Sequence, residues 1–251
     1  MKKKPMISII ISYYKKKKFI ERTIQSILNQ TFKDYELIFV YDDEDITDLN
    51  LIRRILSRFK KKKIIINKKN LGVAKCRNIA IKNSQGNYLA FIDADDIWKK
   101  NKLSVQLKFM NKNKLLFSFT SYSIIDQKNN LIKTRKVLKD ANYKNLYRSN
   151  SIGLSTVMIN KKLKPKLKFP QLQTQEDYGL WLKLAKNGVI LKHLSQSLSS
   201  WRITQGSLSS NIFLKLRDAF KIYYYYEKKN FMFAIYSVII LSFNKLIKKF
   251  T

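Results

Sequence analysis

Cysteine occurs once in this chain, at position 76, so no intrachain disulfide can form and a reducing, cytoplasmic compartment fits. Histidine also occurs once, at position 193. Cys76 lies in a helical-looking stretch and His193 on a different predicted element. A thiol nucleophile with a histidine base is therefore not expected, and Cys76 reads as a small buried residue. The longest mostly apolar run, Phe231 to Phe243, is 13 residues, short of the ~18–20 needed to span a bilayer. Ile7 to Ile11 is too short for the apolar centre of a signal peptide, and no small-residue cleavage site follows, so none is expected. Above all the chain lacks acid: 17 Asp+Glu stand against 51 Lys+Arg, a net charge of +34.

Such a charge suggests nucleic acid or anionic membrane as partners. The plainer reading is a lysine-rich solvated surface, and the runs at 2–4, 15–18 and 60–63 fit it. With 251 residues and 45% hydrophobic content, the chain can bury a full core as a folded globular protein.

The scarce acids are grouped. Asp42, Asp43, Glu44, Asp45 and Asp48 form one cluster, Asp93, Asp95 and Asp96 a second, Glu176 and Asp177 a third. A chain so poor in acid that gathers most of it in three places points to those places as sites.

Apolar patterning predicts strands over Met6–Ser12, Tyr35–Tyr41, Lys63–Ile66 and Tyr88–Ile92, alternating with helices over Phe19–Gln30, Asp48–Phe59 and Val73–Asn83. This β-α-β order implies a mostly parallel sheet covered by helices on both faces. In such sheets ligands bind beyond the carboxyl ends of the strands. Ser12 and Tyr14, Asp42, and Asp93 with Asp95 all fall on that edge. Later strands are expected at Leu115–Ile125, Leu131–Val137, Ser155–Asn160, Val189–Leu194 and Ser197–Arg202, with a helix over Glu176–Lys186. From about Asn211 the chain reads as helical and rich in Tyr, Phe and Lys.

In an extended segment Asp93 and Asp95 point the same way and Ala94 points aside. Their hard oxygens suit Mg2+ or Mn2+, with coordination positions left for phosphate oxygens. A lone D-x-D also arises in turns and caps, and Asp95 or Asp96 can cap a helix beginning near Ile97. Gly72 opens a helix carrying Arg77, which could approach a diphosphate or be a plain surface cation. Glu176 and Asp177 either favour the dipole of the helix they open or supply a general base.

Taken together, the segments Ile7 to Tyr14, Thr23 to Thr31, Tyr35 to Asp42, Asn70 to Asn78, Gly86 to Trp98 and Glu176 to Trp181 resemble family 2 glycosyltransferases. The resemblance covers about residues 5 to 205. It implies an α/β GT-A fold of the nucleotide-diphospho-sugar transferase type: a mostly parallel central sheet flanked by helices, with a helical C-terminal extension. It divides the chain into a nucleotide-sugar-binding half, 1–110, an acceptor and catalytic-base half, 111–205, and a tail, 206–251. By position it implies that Ser12, Tyr14, Asp42, Arg77, Asp93 and Arg202 bind the donor and that Asp95 with Asp93 holds a divalent cation, Mg2+ or Mn2+. Asp177 would be the catalytic base and Glu176 would lie beside the acceptor. The implied reaction moves a hexosyl group, from a UDP-sugar by preference, to a hydroxyl acceptor with inversion. Cell-envelope polysaccharide, lipopolysaccharide or glycolipid synthesis is the implied setting, and nucleic acid is not an expected partner.

The chain departs from the family where Ser12-Tyr13-Tyr14-Lys15 replaces Pro-Thr-Tyr-Asn. It departs again where Tyr41-Asp42-Asp43-Glu44 replaces the usual Asp-Asp-Gly-Ser, and where Thr204 stands at a frequent histidine. Two other classes remain open at this stage. A metal-dependent nuclease would show phosphodiester turnover, and a non-catalytic module of the same fold would bind nucleotide sugar without releasing nucleoside diphosphate. Phe213 to Phe250 reads either as interfacial helices touching the inner face of an anionic membrane or as helices packed on the catalytic domain.

Overall fold

The computed structural model describes residues 4–137, 139–204 and 211–250, with side chains through residue 244. Four strands, β1 (Ile7–Tyr13), β2 (Tyr35–Tyr41), β3 (Lys62–Ile66) and β4 (Tyr88–Phe91), alternate with α1 (Lys17–Leu28), α2 (Leu49–Leu56) and α3 (Val73–Asn83). β1 and β4 are buried along their length except at Ser12, as strands covered on both faces must be. Alternate residues serve different cores, because side chains of a strand point to opposite faces. Ile9, Ile11, Leu37 and Phe39 pack with α1 and α2, whereas Ile10, Ile38, Leu89 and Phe91 pack with Ala74, Cys76 and Ala80 of α3.

The chain continues through β5 (Ile97–Trp98), α4 (Lys102–Lys112), β6 (Phe117–Ile125), β7 (Leu131–Arg135), α5 (Tyr143–Arg148), β8 (Met158–Asn160), α6 (Glu176–Lys186) and β9 (Lys192–Arg202). All nine strands form one sheet in the order β3-β2-β1-β4-β8-β6-β9-β5, with β7 paired to β6. An unbroken parallel order holds for β1 to β4. β8 runs antiparallel to β4 and β6, β5 to β9 and β7 to β6, while β9 is parallel to β6. The sheet is therefore mixed. A short link such as that between β6 and β7 can return a strand only antiparallel.

Three local expectations change. The helix placed near Ile97 starts at Lys102, because Ile97 and Trp98 pair instead with Ser200 and Ser199 of β9. The two strands expected over 189–202 are one, with register shifts opposite Thr120 to Tyr122. α5 was not anticipated; its start is a capping box of Asn142 with Asn145, without the usual Glu or Gln at the third position.

The tail comprises α7 (Ile212–Lys221), a π-helical turn at Ile222–Tyr226 and α8 (Phe231–Phe250). Residues 205–210 and 251, including the expected start of the tail at 206, lie outside the described residues. Ala219, Ile222, Tyr223, Ala234 and Leu241 join the main core. The outer side keeps Phe213, Phe231, Met232, Tyr236, Ile239 and Phe243 exposed. The packing reading thus holds for one face and leaves the other apolar and uncovered. No helix among the described residues is long and apolar enough to cross a membrane.

Asp218 is the buried charge among the residues that join the tail to the segment before α6. Asp218 is fully buried, and its Oδ2 accepts hydrogen bonds from Gln173 N (3.0 Å), Thr174 N (2.8 Å) and Thr174 Oγ1 (3.1 Å). Asp218→Ala leaves buried donors without an acceptor and is expected to cost about 2–3 kcal/mol, read from urea unfolding of the full chain.

Candidate active site

The carboxyl ends of β1, β2 and β4 and the start of α6 open on one cleft of about 1140 Å3. Ser12, Tyr14, Asp42, Arg77, Asp93, Asp95, Glu176, Asp177 and Arg202, the site residues the resemblance implies, line it, whereas Asp43, Glu44, Asp45 and Asp48 of the first acidic cluster do not. The lining residues do not all face it in the same way.

Asp42 ends β2 and is buried. Its Oδ1 accepts from Asn67 Nδ2 (2.7 Å) and Leu71 N (2.9 Å), its Oδ2 from Gly72 N (2.9 Å). The carboxylate thereby fixes the loop that starts α3, where Gly72 takes a φ of 85° that other residues avoid. Neighbouring Tyr13 points into the core, stacked on Tyr41 and donating to Asp48 at 2.6 Å. Tyr14, by contrast, is half-exposed at the cleft mouth with Lys15 over its ring.

Residues 93–96 form a turn rather than an extended segment: Asp96 N donates to Asp93 O at 3.1 Å. The two carboxylates therefore find different partners. Asp93 Oδ1 accepts from Arg77 Nη2 at 2.7 Å. Asp95 Oδ2 accepts from Lys16 Nζ at 2.7 Å. Ala94 is buried and its carbonyl accepts from Thr23 Oγ1 at 3.0 Å. Burial pushes the Asp95 carboxyl up, and Lys16 pulls against that.

Asp96 does not cap a helix. It is buried, accepts from Ser155 Oγ and from Arg202 N (3.0 Å), and is pushed well up by burial and by the charges of Asp93 and Asp95. Ser155 also accepts from Asp93 N at 3.1 Å, so it holds both ends of the turn. Arg202 sits beneath the same turn: its Nε donates to Asp95 O at 2.7 Å and its Nη1 to Asp126 O at 2.9 Å. Those bonds brace the turn from behind.

Arg77, on α3, is buried and is no surface cation. Besides Asp93 it pairs through Nη1 with Glu176 Oε1, and its guanidinium lies 5.5 Å from the Phe169 ring. Gln175, with φ 58°, turns the chain into α6, so that Glu176 faces Arg77 while Asp177 stays partly open to the cleft. Burial, then the Glu176 charge, push the Asp177 carboxyl up to about 7, with Arg77 opposing.

Lys16 and Ser155 were missed from the sequence. Lys16 is hidden in a run of four lysines, and Ser155 carries no signal of its own. Cys76 and His193 are elsewhere, as expected: Cys76 accepts from Asn67 Nδ2 at 3.4 Å in the core, where burial pushes its thiol up, and His193 bonds Ser121 Oγ at 3.1 Å.

The family model described as "Glycosyl transferase family 2" matches residues 8–167. The chain is 30% identical over 247 residues to the putative teichuronic acid biosynthesis glycosyltransferase TuaG of Bacillus subtilis, covering 98% of each chain. It is 34% identical over 214 residues to the Escherichia coli UDP-Glc:alpha-D-GlcNAc-diphosphoundecaprenol beta-1,3-glucosyltransferase WfgD, covering 84% of this chain and 83% of that one. Among solved structures, S. aureus TarS 1-349 in complex with UDP-GlcNAc superposes with a TM-score of 0.70 at 21% identity, over 86% of this chain. This chain spans 64% of that TarS chain. Mannosyltransferase PcManGT from Pyrobaculum calidifontis, in complex with GDP-Man and Mn2+, gives 0.69 at 13% identity, over 94% of this chain and 70% of that one. These structural likenesses concern the fold.

Arg77 is the charge partner that keeps buried Glu176 compensated. Arg77→Met is therefore expected to cost about 3–5 kcal/mol in urea unfolding. Arg77→Lys, which keeps the charge without the fork that reaches two carboxylates, should fall in between.

Proposed function

The chain belongs to glycosyl transferase family 2 and is a glycosyltransferase of GT-A fold, and from that premise we propose that it transfers a hexosyl group from a UDP-sugar to a hydroxyl acceptor with inversion, in the synthesis of a cell-envelope polysaccharide or glycolipid. The observation that carries the reading is the pairing, across one cleft, of the Asp93–Asp95 turn with an acid at the start of α6 whose affinity for protons is raised. The names of two relatives support the finer parts. One is named for a UDP-glucose donor and a diphosphoundecaprenol-linked acceptor, the other for teichuronic acid biosynthesis.

A divalent cation fits the turn. Asp93 and Asp95 offer hard oxygens, and Asp93 Oδ2 accepts no hydrogen bond from another described residue. No group of three or more metal-ligating side chains occurs among the described residues. Two carboxylates plus substrate phosphates are a usual arrangement for Mg2+ or Mn2+. Asp93 and Asp95 would hold the ion, which when bound supplies Lewis-acid stabilisation of the departing diphosphate.

The chain's own residues do the rest. Asp177 takes the proton of the acceptor hydroxyl as its oxygen forms the bond to the anomeric carbon. The bond from that carbon to the diphosphate breaks, and the nucleoside diphosphate leaves with the electron pair. Arg77 fixes Glu176, and so the start of α6, at a set distance from the Asp93 turn. Ser12 and Tyr14 flank the nucleotide side of the cleft, and Asp42 shapes that side by holding residues 70–72. Residues 1–110 then form the donor half and 111–205 the acceptor half.

The uncovered face of α7 and α8 is proposed to rest on an anionic membrane, with the net charge of +34 as the complementary feature. Leu216 of α7, itself partly exposed, also lines the cleft, so α7 adjoins it.

Three outcomes test the proposal. With nucleotide sugars and Mn2+ or Mg2+, release of nucleoside diphosphate should fall roughly a hundred- to ten-thousand-fold in Asp177→Asn. A proton on Asp177 blocks its role as base, so wild-type kcat/KM should rise with pH through about 7 and that limb should vanish in the variant. For the tail, the full chain should co-sediment with vesicles containing phosphatidylglycerol at low salt, and Phe213→Ser with Met232→Ser should weaken it. Absence of sedimentation would remove the membrane contact from the proposal.

A further inference from the structure

Asp95 already holds a cation, and it is supplied by the chain. Lys16 Nζ lies 2.7 Å from Asp95 Oδ2 and donates to Thr204 Oγ1 at 3.1 Å, and Thr204 Oγ1 lies 3.5 Å from the same carboxylate oxygen. The Asp95 side chain is only 14% exposed and that of Lys16 26%, so the pair is largely withdrawn from solvent screening. The rest of the lysine run is used differently. Lys15 lies over the Tyr14 ring, Lys17 pairs with Asp48 at 2.8 Å, and Lys18 donates to Gln127 at 3.2 Å. Lys15 takes a φ of 49°, and this turn sends its successor into the cleft. Lys16 is thus the lysine of the run that reaches the Asp93–Asp95 turn.

An ammonium and a divalent ion both seek the oxygens of Asp95, and each repels the other at contact distance. We propose that Lys16 is a built-in competitor for the divalent cation at Asp95: the free enzyme binds the ion weakly, and Asp95 takes it up only as Lys16 gives way. The cleft then favours an ion that arrives with the diphosphate, because the phosphate oxygens offer Lys16 an alternative anion. The inference rests on Asp95 as a ligand of the ion, and the test separates the two.

The readout is Mn2+ binding to the full-length protein without nucleotide, followed by the electron paramagnetic resonance signal of free Mn2+. Lys16→Met should bind Mn2+ at least tenfold more tightly than wild type, and Lys16→Arg, which keeps a cation at the site, should stay as weak as wild type. Circular-dichroism melting of each variant checks that the fold is retained. If Lys16→Met binds Mn2+ no more tightly than wild type, the competition is overturned. The double variant Lys16→Met, Asp95→Asn should lose the gain. If it binds as tightly as Lys16→Met alone, Asp95 is not the ligand, and the metal assignment under the proposed function fails instead.

Discussion

The buried guanidinium of Arg77 is the contact on which the cleft depends. It is the point where the parallel half of the sheet and α6 are joined by charge: Asp93 follows β4, Glu176 opens α6, and Arg77 on α3 binds both. Buried Arg77 and Glu176 each pay a desolvation cost that their pairing offsets, and the partly exposed Asp93 adds a second counter-charge to Arg77. Such an arrangement contributes little net stability beyond what apolar residues would give. It does fix where α6 begins relative to the Asp93 turn, and so where Asp177 lies. Burial next to the Glu176 charge then keeps Asp177 near neutrality in its proton affinity.

The other buried acids follow the same logic at shorter range. Asp42 spends both oxygens on the loop at residues 67–72, Asp96 ties the Asp93 turn to Ser155 and Arg202, and Asp218 ties the tail to Gln173 and Thr174. In each case a carboxylate gathers donors that an irregular segment would otherwise bury unpaired, which is costly. A chain with 17 acids uses several of them as internal braces for the loops around one cleft. Most of the lysines, cheap to leave in water, cover the outside, though Lys102 is fully buried and Lys16 sits in the cleft.

This division explains what could be read from the residues in advance. The first four strands, the helices between them and the strand-end position of the acids were legible, because apolar periodicity and the strand-end rule are local. Tyr35–Tyr41, Val73–Asn83 and Glu176–Lys186 have the bounds their patterns imply. The mixed second half was not legible, since a two-residue strand such as Ile97–Trp98 exists only through its partner β9. The pairing of Arg77 with Glu176 spans 99 residues of sequence, and nothing in either neighbourhood announces it. Likewise the role of Lys16 depends on one backbone turn at Lys15, invisible within four consecutive lysines. Asp96 was assigned to a cap because its neighbours looked helical; strand pairing took those neighbours and left Asp96 as a hub.

The tail shows how one element can answer to two environments. The inner side of α7 carries Asp218 and Ala219, and the carbonyl of Lys215 accepts from Gln175 Nε2 at 2.6 Å, next to the residue pair that opens α6. Tyr178 of α6 and Tyr223 of the π-helical turn share a hydrogen bond at 2.9 Å, and Glu227 accepts from Tyr143 and Lys186. The helix α6 is therefore held by the tail as well as by Arg77. The outer side of the same helices is apolar and exposed. Buried hydrogen bonds and packed aromatics transmit displacement poorly as a gradient and well as a shift of a whole element. Arg77 thus holds the start of α6 against the Asp93 turn, while the tail holds the same helix from its other side.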